Sequence, residues 1–247
     1  MNKLTNKIVS IITAITGFIF VLYLAIMPTA MNRNFFNKIY DQDNFEIYQK
    51  ADYWVNRNIT MNKEDIKKAL DHTLKFMLAE VDDLQIIVSF SDGSQQEFYE
   101  PHEISHMEDC QKLFVGGRTI GWSCFAIMAL GIGFLIFNRK NFDSKMIKYF
   151  FFGFASIIAI IGFVGIAVAI DFDAAFTKFH EIFFPQGNWQ FSGNSYMIQM
   201  LPQDQVFESI VHNMILCFFI YIVVIIIGLI IFKKWLERRE SLKSFKQ

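Results

Sequence analysis

Apolar residues gather along the chain into four long runs, Ile8–Met27, Ile120–Phe137, Tyr149–Ile170 and Met214–Phe232, none containing Asp, Glu, Lys or Arg. A helix needs about 20 residues to cross the hydrocarbon core of a bilayer. A charge held at the centre of that core costs a few kcal/mol, so four uncharged runs of this length predict four transmembrane helices. The first run follows Lys3 and Lys7 and ends near Pro28-Thr29-Ala30, as a cleaved signal peptide would. It is longer than a signal-peptide core, and we read it as a retained helix.

The periodicity changes between the runs. Asn62-Lys63-Glu64-Asp65 opens a helix, with Asn62 as N-cap and two acids at the positive end of the dipole. Ile66, Leu70, Leu74, Met77 and Leu78 then form one apolar stripe. Leu84–Phe90 alternates, Ser91-Asp92-Gly93-Ser94 reads as a turn, and Gln95–Tyr99 completes a β-hairpin. His102–Phe114 predicts an amphipathic helix leading into the second run, with Gly116-Gly117 as a candidate break. The third run continues through Asp171–Phe184 without Gly or Pro, carrying Phe172, Phe176, Phe179 and Phe183 at helical spacing. Such an aromatic stripe suits a helix at a membrane surface. Pro185-Gln186-Gly187 ends it, and Asn188–Pro202 reads as an irregular loop.

The predicted fold is therefore an all-α polytopic membrane protein with a small α+β domain between the first two spans. Its parts are 1–30, the first span; 31–115, the extracellular α+β domain; and 116–247, the remaining spans with an extracellular helix-loop at 171–210.

Composition adds class and direction. The chain is 53% hydrophobic and holds 29 Phe in 247 residues, too apolar for an ordinary soluble domain. Its net charge of −1 conceals a division. The short segments Met1–Lys7, Asn138–Lys148 and Lys233–Gln247 are basic, whereas Pro28–Cys110 and Asp171–Ile210 are acidic. Lys and Arg near span ends stay cytoplasmic, which sets both termini inside and both longer segments outside. A basic tail beside a membrane is an orientation signal and a contact for anionic lipid, so nucleic acid is not an expected partner. Cys110, Cys124 and Cys217 form neither a disulfide framework nor a metal motif.

Histidine placement points to chemistry. His72 reads as a solvated surface residue and His212 as an interfacial one. His102, His106 and His180 fall on segments meeting the outer surface. Imidazole exchanges a proton near neutral pH, and Glu108, Asp109 or Glu181 stand close enough in sequence to orient one. A three-histidine metal site at His102, His106 and His180 lacks the glutamate of a zinc-protease helix, and no metal or cofactor is expected. No nucleophile elbow occurs, and no base is implied near Cys110.

The stretch His106-Met107-Glu108-Asp109-Cys110-Gln111-Lys112-Leu113-Phe114 resembles a segment of the bacterial lipoprotein intramolecular transacylases. Phe179-His180-Glu181-Ile182-Phe183-Phe184, then Asn188-Trp189-Gln190-Phe191 and Leu201-Pro202, resembles a second one. Order, spacing and topology agree over nearly the whole chain. Cys110-Gln111 stand where Val-Lys is usual, and Ser192-Gly193 and Tyr196 where acidic or proline residues are common.

The resemblance implies a multi-pass enzyme of the bacterial plasma membrane, working at the outer leaflet on a diacylated lipoprotein. It implies transfer of the sn-2 acyl chain from glycerol to the α-amino group of the N-terminal cysteine, giving the lyso form. The family's two functional histidines correspond to His106 and His180. We assign His180 as general base and His106 to positioning or to the oxyanion, although the sequence accommodates the exchanged roles too, with Asp109 and Glu181 supporting. Asn188, Trp189, Phe176 and Phe183 are candidates for shaping acyl-chain entry, although the Phe stripe fits helix packing equally. The rival classes are a non-enzymatic sensor or assembly protein and a metal-dependent membrane hydrolase. Lipoprotein and membrane lipid are the expected partners, and the sequence carries no signal for oligomeric state.

Overall fold

The computed structural model describes residues 3–138, 144–202, 206 and 208–244. In chain order they form α1 (Lys3–Ala30), α2 (Arg33–Tyr40), α3 (Lys63–Met77), β1 (Ile87–Ser89), β2 (Gln95–Glu97) and α4 (Pro101–Phe137). A 3-10 turn at Ser144–Met146 precedes α5 (Ile147–Ile170), α6 (Phe172–Phe183), α7 (Tyr196–Met200) and α8 (Glu208–Ser244). Three helical segments, Lys3–Tyr40, Pro101–Phe137 and Ser209–Arg239, are long and apolar enough to cross a membrane. The third run of the sequence forms α5, a helix of 24 residues. Arg139 and Lys140, part of the basic segment before it, lie outside the described residues.

The chain divides into two compact units. The first comprises Met1–Ile26, Arg118–Ala175 and Met214–Gln247. Its helices meet through Phe18, fully buried and in edge contact with Phe218 at 5.4 Å and tilted contact with Phe154 at 6.0 Å. A Cβ on Gly153 would stand 2.7 Å from that of Ala14 and 3.1 Å from the Ile11 carbonyl, so glycine is what lets α5 approach α1. Polar side chains in α1 turn their donors onto their own helix: Ser10 donates to the Asn6 carbonyl (2.8 Å) and Thr16 to that of Ile12 (2.9 Å).

The second unit comprises Met27–Gly117 and Phe176–Asn213. The hairpin forms where the alternation places it, but shorter, with Ile87 opposite Glu97 and Ser89 opposite Gln95. Asp92 stabilises the turn by accepting from the Ser94 amide (2.9 Å), and Gly93 takes the positive φ there. The helix stripe Ile66, Leu70, Leu74 and Met77 is buried in one core with Tyr40, Ile47, Phe90, Phe98 and Tyr99. Asn62 is the N-cap residue of α3, without a side-chain cap bond, and Asp65 accepts from the Ser89 amide (2.8 Å).

Three expectations change. α4 runs unbroken through Gly116-Gly117, because glycine weakens a helix by only about 1 kcal/mol relative to alanine and does not forbid it. α5 and α6 are separate: Asp171 is extended (φ −150°, ψ 95°), and its carboxylate accepts from the Ala174 amide (2.9 Å) at the start of the new helix. Asn188–Pro202 is also not wholly irregular, since Ser195 caps the short helix α7. Tyr196, Met197 and Met200 of α7 enter the core, Tyr40 donates to the Met200 carbonyl (3.0 Å), and Gln199 bonds the backbone of Tyr48 on both sides.

Phe98 is fully buried between Tyr99 and Tyr196. Phe98→Ala should destabilise this unit by about 3–5 kcal/mol. Thermal unfolding of the purified chain in detergent, followed by circular dichroism, reads it as a clear loss in melting temperature; an unchanged melt would show that the residue is not core.

Candidate active site

The site begins with how α4 starts. Glu100 precedes Pro101, whose missing amide costs nothing at the first helical position, and the Glu103 carboxylate reaches back to accept from the Glu100 amide (2.7 Å). This geometry buries Glu103, and its second oxygen accepts from the Ser195 hydroxyl. One turn on, the same helix presents His106, with only 8% of its surface exposed.

α6 supplies the second imidazole. Phe184, buried, donates its amide to the His180 carbonyl (2.7 Å), and the chain turns back through Gly187, whose φ of +77° suits glycine. The turn brings Asn188 and Phe191 alongside α4 and folds Trp189 back onto α6. His106 and His180 lie with ring centroids 6.3 Å apart and planes inclined by 23°. Phe184 (4.5 Å) and Phe191 (5.2 Å) flank His106, and Phe176 (4.0 Å) and Trp189 (4.7 Å) flank His180.

The two rings are held differently. His180 Nδ1 lies 2.8 Å from the Phe176 carbonyl, which can only accept. Nδ1 therefore carries a proton, and in the neutral ring Nε2 carries the lone pair. His106 Nε2 lies 3.4 Å from Cys110 Sγ, whereas its Nδ1 is buried and has no hydrogen-bond partner among the described residues. Both groups precede the apolar run beginning at Ile120. Burial, reinforced by the charge of Asp109, pushes the Cys110 thiol up to about 12. A neutral thiol can donate to Nε2, which puts the His106 proton on the unpaired Nδ1. Burial first, and then the positive charge of His180, hold His106 below the ordinary histidine value; the Asn188 amide and Asp109 act in the opposite direction.

Asp109 accepts from Lys112 (2.8 Å), Asn188 (3.2 Å) and Gln186, which keep its carboxyl below the usual range. Asn188 also donates to Ser105 (3.1 Å). Asp109 thus joins α4 to the loop after α6 instead of hydrogen-bonding an imidazole. Glu181 pairs with Lys178 (2.9 Å), and Phe183 lies in tilted contact with Phe179 at 4.7 Å. His102 faces Glu100 (3.5 Å) and Phe191, apart from the His106–His180 pair. Among the described residues no three His, Cys, Asp or Glu side chains are grouped to hold a metal ion.

Against known proteins, the family model for the lipoprotein intramolecular transacylase Lit matches residues 11–205. The chain belongs to the Lit family. It is accordingly a membrane-integral acyltransferase, a lipoprotein intramolecular transacylase by family. Among solved structures it is similar to the membrane integral Lit of Bacillus cereus, with 17% identity, a TM-score of 0.61 and 100% of both chains covered. Two variants of that protein also match. The one with a histidine replaced by arginine has 16% identity and a TM-score of 0.69 over 97% of this chain and 95% of that one. The one with alanine there has 15% identity and a TM-score of 0.66 over 96% of each. At such identities the likeness is one of fold. No curated protein matches the sequence.

Several members of this candidate site escape sequence reasoning. Phe184 and Phe191 fall inside the family-like segments, but Ser105, Gln186 and Ser195 carry no signal of their own. Cys110 does have a base beside it: its i,i+4 relation to His106 was readable once α4 was known to be helical there.

The electrostatics of the pair can be checked by titration. In NMR spectra of histidine-labelled protein, His106 should titrate below about 6.5. His180→Ala removes a positive neighbour and should raise that midpoint, whereas Asp109→Asn removes an attractive charge and should lower it further. A His106 midpoint indifferent to both changes would contradict this account.

Proposed function

We propose that this transacylase moves the sn-2 acyl chain of a diacylglyceryl lipoprotein from glycerol to the α-amino group of the N-terminal cysteine, leaving the lyso form. The single observation that carries the mechanism is the facing pair, one imidazole with a fixed donor and an available Nε2, the other buried with an unpaired Nδ1. His180 Nε2 takes the proton from the attacking amine. The amine nitrogen bonds to the ester carbonyl carbon, and the His106 N–H donates to the oxyanion that develops there. The tetrahedral species collapses by breaking the bond to the glycerol oxygen, which receives the proton from His180. An amide and a free hydroxyl result, and no water is consumed.

Physical chemistry supports this division. Burial first, and then repulsion from a positive charge on His180, keep His106 neutral and able to donate. The surrounding Phe184, Phe191, Trp189 and Phe176 limit water, which strengthens the hydrogen bond to a developing charge. Donor and acceptor belong to one molecule, so orientation replaces the encounter of two substrates. The exposed Phe172, Phe176, Phe179 and Phe183 give α6 an apolar surface suited to acyl chains. The charge pattern supports the bacterial plasma membrane with both termini inside, α5 as a fourth span, and the reaction at the outer leaflet.

Expression in cells that make only diacylated lipoproteins tests the reading by mass spectrometry of the N-terminal lipopeptide. The free-amine diacyl form should become an N-acyl, monoacylglyceryl form of identical mass, distinguished by fragmentation. His180→Ala should lower conversion by about 10²–10⁴-fold and His106→Ala by about 10²–10³-fold. Cys110→Ser, which keeps a donor beside His106 Nε2, should retain conversion; its loss would point instead to a thioester on Cys110. No conversion by well-expressed wild-type protein would refute the proposed reaction.

A further inference from the structure

In the first unit, α4, α5 and α8 border an open-sided cavity of about 350 Å³, well away in sequence from the two histidines. Leu135, Ile147 and Leu236, all buried, line it together with Phe232 and Trp235. Arg239 is the one charged side chain among its described lining residues. Its guanidinium lies 5.7 Å from the centroid of Trp235, which in turn stacks on Phe232 at 5.8 Å and 15°. Among the described residues Arg239 makes no ion pair, while the nearby acid Glu237 is drawn to Lys233 at 3.7 Å. The surrounding stretch is basic, with Lys233, Lys234, Arg238 and Arg239 against Glu237 and Glu240.

Apart from Arg239 and Trp235 at one end, nothing lining this cavity can bond water, so its apolar length suits hydrocarbon, the solvent around membrane-crossing helices. The Arg239 guanidinium needs an acceptor, and its planar donors match phosphate oxygens. An apolar slot that ends at an arginine and a tryptophan has the two-part chemistry of a phospholipid, with chain and headgroup joined.

We propose that this cavity holds an acyl chain of an anionic phospholipid whose phosphate is bound by Arg239. The occupant is a resident lipid, separate from the lipoprotein substrate, and the inference stands whether or not the acyl-transfer mechanism is right.

Native mass spectrometry of the delipidated full-length protein in detergent tests it, with phosphatidylglycerol and phosphatidylcholine of the same acyl chains as probes. The wild type should retain phosphatidylglycerol at least about fivefold more strongly, the scale of one basic contact. Arg239→Gln should abolish that preference, whereas Arg238→Gln, outside the lining, should leave it intact. Leu236→Trp, which fills the cavity, should weaken binding of both lipids; if it fails to fold, Arg239→Gln and Arg238→Gln still decide. Equal binding of the two lipids by the wild type, or an unaltered preference in Arg239→Gln, would overturn the proposal. So would equal losses in Arg238→Gln and Arg239→Gln, which would mean diffuse attraction to the tail, or displacement of lipid by inorganic phosphate alone, which would mean a free-anion site.

Discussion

Two carboxylates on α4 hold together parts of the chain that are some eighty residues apart. Asp109 gathers Gln186 and Asn188 while Glu103 gathers Ser195, so the loop following α6 has to lie along the first turns of α4. The distance between the two imidazoles depends on that constraint. His106 is placed by α4 and His180 by α6, and neither helix by itself determines where the other ring stands. Because Glu103 is buried and bonds both the start of its own helix and Ser195, the helix cap and the tertiary contact share one side chain. Loosening either contact would be felt in both.

The surroundings of the pair give each ring a different character. A backbone carbonyl settles which nitrogen of His180 is protonated, while the neighbours of His106 are a neutral thiol and aromatic faces. The same chemical group thus becomes a proton acceptor in one place and a buried donor in the other. Asp109 takes part through its position and its charge; its hydrogen bonds are spent on the loop and on Lys112. A carboxylate beside a histidine in sequence need not be the one that orients it, because a helix points adjacent side chains about 100° apart.

The Lit family places an acyl-transferring activity on a scaffold whose apolar helices do two kinds of packing. In the first unit, small residues such as Gly153 and Ala14 allow close approach, and Phe18 fills the space left between helices. In the second, an ordinary aqueous-type core of helix, hairpin and aromatic residues forms around Tyr40, Phe98 and Tyr99. The α7 segment belongs to that second core, so the stretch carrying Asn188 and Trp189 is anchored at its far end by Tyr196 and Met200.

What the sequence determined by itself is whatever depends on local order. The long uncharged runs form helices, three of them in segments long and apolar enough to cross a membrane, and the stripe from Ile66 to Met77 and the alternation around Ser91-Asp92-Gly93-Ser94 form the helix and hairpin they predict. The family-like segments singled out His106 and His180 for the same reason, since they are contiguous patterns. Contacts between distant segments were not legible. Nothing near Gln186 or Ser195 announces a partner on α4, whereas the i,i+4 contact of Cys110 with His106 follows from the helix predicted over His102–Phe114. The unbroken course through Gly116-Gly117 and the break at Asp171 are local outcomes that the hydrophobic pattern did not separate. Glycine weakens a helix without forbidding it, and Asp171 ends one helix because its carboxylate can cap the next.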